Sequence, residues 1–119
     1  MYTLLRGILL SLIFLPSTVS AEFSISEIMY DLEGGDDGRE WIEVVNTDGT
    51  TLDLSMYKFR EGETNHALTL YQGDATVGAG GYAIIADDPA KFLLDYPGSS
   101  ATIFDSSFSL SNSGEILTL

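Results

Sequence analysis

Glu40-Trp41-Ile42-Glu43-Val44-Val45-Asn46 holds the chain's one tryptophan inside a β-branched apolar run. Turn-formers stand on both sides, Gly34-Gly35-Asp36-Asp37-Gly38 before it and Asn46-Thr47-Asp48-Gly49 after it. Strand residues bounded by loop residues predict a central β-strand. Alternation puts Ile42 and Val44, ending at Asn46, on one face and Trp41, Glu43 and Val45 on the other. Apolar residues on both faces call for cover on both sides, or at least a sandwich core on one.

Upstream, Phe23-Ser24-Ile25-Ser26-Glu27-Ile28-Met29-Tyr30 is the next strand, separated from the first by the acidic, glycine-rich stretch 31–39. If the two pair antiparallel about Gly35, Ile28 meets Ile42, Met29 meets Trp41 and Glu27 meets Glu43. Downstream come short strands at 51–54, 56–60 and 67–70, a glycine turn at 76–81, and Tyr82-Ala83-Ile84-Ile85-Ala86 as the most buried strand. One short helix is expected near 88–95, with an acidic N-cap, Pro89 in its first turn and Pro97 beyond its end. Strand-like pieces follow at 101–104, 108–110 and 115–119. Short strands at roughly 8–12-residue spacing with Gly/Asn/Asp turns predict an all-β sandwich.

The 119 residues suffice for one small domain, and 45% apolar residues suffice for its core. With no cysteine there is no disulfide and no thiolate metal site. Residues 1–21 read as a secretory signal peptide: Arg6, the apolar run 7–15, Pro16, and Val19-Ser20-Ala21 before the cut. That run is shorter than the roughly 20 residues of a membrane span, so no span is expected after cleavage. Residues 22–119 form the domain, with a secreted or cell-surface location, the periplasm included. All 18 acidic residues fall in it, against Arg39, Lys58, Arg60 and Lys91. Such a charge repels phosphate backbones and disfavours nucleic acid as a partner. No Asn-x-Ser/Thr sequon occurs at Asn46, Asn65 or Asn112, which fits a bacterial source. The chain stops at Leu119 within an apolar alternation, so a C-terminally truncated domain, part of a larger protein, is expected.

Ile25-Ser26-Glu27-Ile28-Met29-Tyr30, the opening heptad and Leu52-Asp53-Leu54-Ser55, taken in order, resemble the start of a lamin-tail domain. Val77-Gly78-Ala79-Gly80-Gly81 with Tyr82-Ala83-Ile84-Ile85-Ala86 is similar to that family's glycine turn and buried strand, and Ser111-Asn112-Ser113-Gly114-Glu115 to its late hairpin turn. The resemblance covers about residues 23–119. The chain departs from it at Met56 and Tyr57, where the family has glycine and tryptophan, and in lacking the family's last strand. The resemblance implies an immunoglobulin-like β-sandwich without an intersheet disulfide, and a non-catalytic binding or scaffolding module. Its structural motif falls on Glu27, Trp41, Ile42, Glu43, Asn46, Gly80 and Gly81.

No catalytic residue is expected. Glu27 and Glu43, if opposite one another, would repel, hold a cation or share a proton; the plainer reading has both turned to water or held by backbone donors. Asp31, Glu33, Asp36 and Asp37 are the candidate metal ligands. Calcium takes six to eight oxygens and glycines let a backbone wrap it, but the spacing is not that of an EF-hand, and a solvated loop explains these residues more simply. No cofactor is expected beyond that calcium reading. His66 stands alone and reads as a loop residue, and the serines at 106, 107, 109, 111 and 113 lack a nucleophile motif. Trp41, Tyr57, Tyr71 and Tyr82 suit a sugar-binding surface on composition alone, but core packing accounts better for most of them. The function expected is an exported binding module for a protein or cell-surface partner. The rivals are an accessory domain of an extracellular hydrolase or nuclease, and a calcium-dependent adhesion module.

Overall fold

The computed structural model describes residues 22–119, and the signal peptide read over 1–21 lies outside the described residues. β1 (Phe23–Met29) and β2 (Trp41–Asn46) pair antiparallel in the anticipated register, with Ile28 opposite Ile42, Met29 opposite Trp41 and Glu27 opposite Glu43. The ladder slips once, at Ser26. This bulge carries the alternation past one extra residue. Ile25 before it and Ile28 after it therefore stand opposite Val44 and Ile42, on the same face of the sheet.

The chain continues through β3 (Leu52–Asp53), a single 3-10 turn at Leu54–Met56, β4 (Lys58–Glu61), β5 (Thr64–Ala67), β6 (Thr69–Gln72), β7 (Thr76–Val77) and β8 (Tyr82–Ala86). Helix α1 (Pro89–Asp95), β9 (Ile103–Asp105) and β10 (Leu117–Thr118) complete it. The main sheet runs β1-β2-β8-β9-β6; a second runs β10-β4-β5, and β3 pairs with β7. The main sheet is mixed, because α1 carries the chain from β8 back to a parallel β9, the connection a parallel pair requires.

Two apolar clusters explain the double-faced β2. Ile42 and Val44, both fully buried, join Phe59, Leu54, Ile85 and Phe104 between the sheets. On the other face Trp41 packs with Ile84, Phe92 and Ile103 under α1. Its indole meets the rings of Phe92 and Tyr96 edge-on, each at 5.7 Å. The helix forms where its caps allow: Asp88 accepts the N–H groups of Ala90 and Lys91, and Pro89 occupies the first turn.

The structure corrects several local expectations. Residues 54–56 form the 3-10 turn, started by Asp53 accepting the Ser55 N–H, so the strand expected at 56–60 begins at Lys58. The strand expected at 67–70 is two strands broken at Leu68, whose buried side chain joins the core. His66 lies in β5 opposite Phe59, not in a loop. Residues 108–110 form no strand, although Phe108 and Leu110 are buried while Ser107 and Ser109 are exposed. The final segment is not unpaired: Leu117 and Thr118 pair with Glu61 and Arg60 of β4.

Candidate functional site

Asn46 is more than an exit turn. Its fully buried amide donates to Thr50 O and Val77 O, both at 2.8 Å, and accepts the Asp48 N–H at 2.9 Å. Its main chain donates to Gly81 O and accepts from Gly80 N, both at 2.9 Å. One buried side chain thus ties β2, the 47–50 turn and the β7–β8 turn together with its polar groups satisfied. The glycines beside it have steric reasons. Gly80 has a φ of +72°, and a Cβ on Gly81 would stand 2.9 Å from Gly78 O.

Glu27 and Glu43 are opposite one another, yet they do not act as a carboxyl pair. The bulge residue Ser26 donates its hydroxyl to Glu43 Oε1 at 2.8 Å and reaches Glu43 O at 3.2 Å. Glu43 is thus held by a neutral donor on the neighbouring strand.

The 31–38 loop is organised by cations of this chain. Arg39 forms a two-pronged pair with Asp95, at 2.9 and 3.0 Å, and donates to Gly35 O and Glu33 O. Lys91 Nζ donates to Asp37 O at 2.8 Å, and Arg39 N to Asp36 O. The loop's inward carbonyls are therefore taken by nitrogen donors. Among the described residues, no three of Asp, Glu, His and Cys come together as a metal site, so the structure does not gather Asp31, Glu33, Asp36 and Asp37. Asp95 lies below the usual carboxylate range because Arg39 hydrogen-bonds it.

Two carboxylates that the sequence did not single out do structural work. Glu40 Oε2 accepts the Leu110 N–H at 2.7 Å, and Asp87 Oδ1 accepts the Phe108 N–H at 3.1 Å. With the Ser106 N–H bound to Ala86 O, they pin the strand-like 106–110 segment along the molecule without a ladder. Burial raises both groups above the ordinary carboxylate range, and neighbouring carboxylates add to this. An acidic residue directly flanking an apolar strand was the available signal at both positions.

A shallow cleft brings His66, Asn65, Asp105 and Ser106 together. His66 Nε2 lies 3.0 Å from Glu61 Oε2, an ion-pair contact when the imidazole is protonated but too poorly aligned for a hydrogen bond. Ser106 Oγ is buried without a hydrogen-bond partner among the described residues, so no base is placed to activate it. Of the aromatics considered for sugar binding, Trp41 is buried and Tyr57 packs on Phe23 at 5.0 Å. Tyr71 and Tyr82 are more than half exposed, on separate strands β6 and β8.

Two openings lie beside β1. One of about 370 Å³ is walled by Ile28 and Tyr30 facing Leu110 and Leu117. Another of about 300 Å³ separates Phe23 and Ile25 from Leu117 and Leu119. Among the described residues no helix is long and apolar enough to cross a membrane.

The family model of the Lamin Tail Domain matches residues 16–119, nearly the whole chain. The chain belongs to that family. No curated protein and no solved structure matches it.

Proposed function

We propose that this lamin tail domain is an exported, non-catalytic module whose work is to bind a protein or cell-surface partner. One observation carries the reading: most of the polar side chains that sequence and burial single out hold the fold, the buried Ser106 hydroxyl excepted. Asn46 closes one end of the sandwich, Glu40 and Asp87 pin the 106–110 segment, and Arg39 and Lys91 order the acidic loop. What remains open is apolar surface at a sheet edge, which suits recognition. Export is supported by the leader-like residues 1–21 and by an acidic surface suited to solubility outside the cell.

The test uses the full chain expressed in a bacterium with an export pathway. The reading predicts cleavage after Ala21, recovery outside the cytoplasm, and saturable binding to surface proteins of the producing cell. It also predicts no turnover of ester, glycoside or phosphodiester substrates. Retention of residues 1–21 in a cytoplasmic product would contradict export, and sustained turnover would contradict the non-catalytic reading.

A further inference from the structure

We infer that residues 106–110 form a proton-tightened strap across the seam between the two sheets, with His66 as the group that governs it near neutral pH. Opening the strap lifts Phe108 off Phe59, whose rings meet at 4.9 Å, and uncovers the inner face of the smaller sheet.

The strap buries alternate residues as a strand does, yet it has no ladder. Four successive amides, from Phe108 to Ser111, each donate to a different carboxylate. Asp87 accepts at 3.1 Å, Glu61 at 3.4 Å, Glu40 at 2.7 Å and Glu115 at 2.5 Å. Successive amides of an extended chain point to opposite sides. Phe108 and Leu110 accordingly reach the main sheet, where Asp87 follows β8 and Glu40 precedes β2, while Ser109 reaches Glu61 of β4 in the smaller sheet. Carboxylates thus stand where the carbonyls of neighbouring strands would stand, and the strap joins the two sheets through them.

That construction crowds like charges around a neutral segment, Ser106-Ser107-Phe108-Ser109-Leu110. Facing it are Glu40, Glu61 on β4, Asp87 and Asp88 after β8, Asp105 on β9, Asp36 and Asp37 of the acidic loop, and Glu115. Against them are set Lys91 of α1, Arg39 beside Asp36, and His66 of β5. In the closed strap burial first, and neighbouring carboxylates after it, hold Glu40 and Asp87 above the ordinary carboxylate range. An open strap returns both to water and to ordinary values. Protons therefore favour the closed form: its grip is full below the ordinary range and is lost as pH rises through the raised values. His66 extends the response toward neutrality, because histidine ordinarily changes charge between about pH 5 and 8. Its Nε2 lies 3.0 Å from Glu61 Oε2, the oxygen that accepts the Ser109 amide, and the two side chains are 17% and 15% exposed. A charged ring offsets Glu61 within the crowded set, and a neutral ring leaves the repulsion between Glu61 and Glu40 in place.

The test is amide hydrogen exchange of the full chain, read residue by residue by NMR from about pH 5 to 8. Protection factors divide out the intrinsic pH dependence of exchange. The amides of Phe108, Ser109 and Leu110 are expected to be less protected than those of Ile42 and Ile85 and insensitive to low urea, the mark of a local opening. Their protection is expected to fall about tenfold across that pH range. Glu40→Gln keeps an oxygen for the Leu110 amide but cannot ionise, so it should hold the strap at the upper end and flatten most of the fall. His66→Gln should remove the part of the fall nearest neutrality and leave the lower part. Glu61→Gln, which gives His66 no charge to offset, should do the same and serves if His66→Gln does not fold. Strap amides that match Ile42 in protection and urea dependence overturn the inference, since the strap then opens only with the whole fold. Protection that stays constant from about pH 5 to 8 also overturns it. A fall that Glu40→Gln, His66→Gln and Glu61→Gln all leave unchanged does so equally.

Discussion

β1 and β2 are neighbours in one sheet, FSISEIM against WIEVVN, and their surroundings differ on every side. β2 has a strand on each flank, a sandwich core on one face and a helix on the other. Its end is fastened by the buried amide of Asn46. β1 has one flank paired, a bulge in its middle, and apolar side chains facing a gap. The same β-branched chemistry is thus buried on both faces in one strand and left partly exposed in the next. Burial, not composition, makes the difference.

The sharpest way to break that comparison is to shorten the paired residues Ile42 and Ile28 separately. Ile42→Ala empties a fully buried site and is expected to cost about 4 kcal/mol in urea unfolding. Asn46→Ala leaves Thr50 O and Val77 O without donors in a closed turn, at about 3 kcal/mol by the same measurement. Gly80→Ala, at positive φ, is expected to cost about 1 kcal/mol. Ile28→Ser, on the open edge, should change stability by less than about 0.5 kcal/mol. If Ile28→Ser costs as much as Ile42→Ala, the two strands are equally structural.

The carboxylates pinning residues 106–110 sharpen the comparison through pH. Glu40 and Asp87 titrate higher folded than unfolded, so the folded state binds more protons across that interval. Stability therefore rises as pH falls from neutral toward the ordinary carboxylate range, and is lost again as pH rises through the raised values. Asp95 and Asp74, held low by Arg39 and by Thr76 respectively, act in the opposite sense at lower pH. The melting temperature is expected to pass through a maximum in mildly acidic solution. Glu40→Gln keeps an oxygen for the Leu110 N–H and should flatten the neutral limb of that curve. An unchanged limb would remove Glu40 as its source.

Much of the fold was legible because its decisive signals are local. Turn-formers around 31–39 and alternation on either side were enough to set Ile28 against Ile42, and the capped α1 announced itself by Asp88 and Pro89. The misses are tertiary. Asn46 was legible as a member of the structural motif, but its buried bond to Val77 O was not, because that partner lies 31 residues away. His66 looked like loop because its strand is specified by pairing with Phe59 rather than by its own polar residues. Glu40 and Asp87 passed unnoticed because the amides they accept lie 70 and 21 residues away.

Amide hydrogen exchange of the full chain tests the central claim most directly. The amides of β2 and β8 should exchange only through global unfolding, and those on the outer side of β1 and in β10 far faster. Uniform protection of β1 and β2 would contradict it.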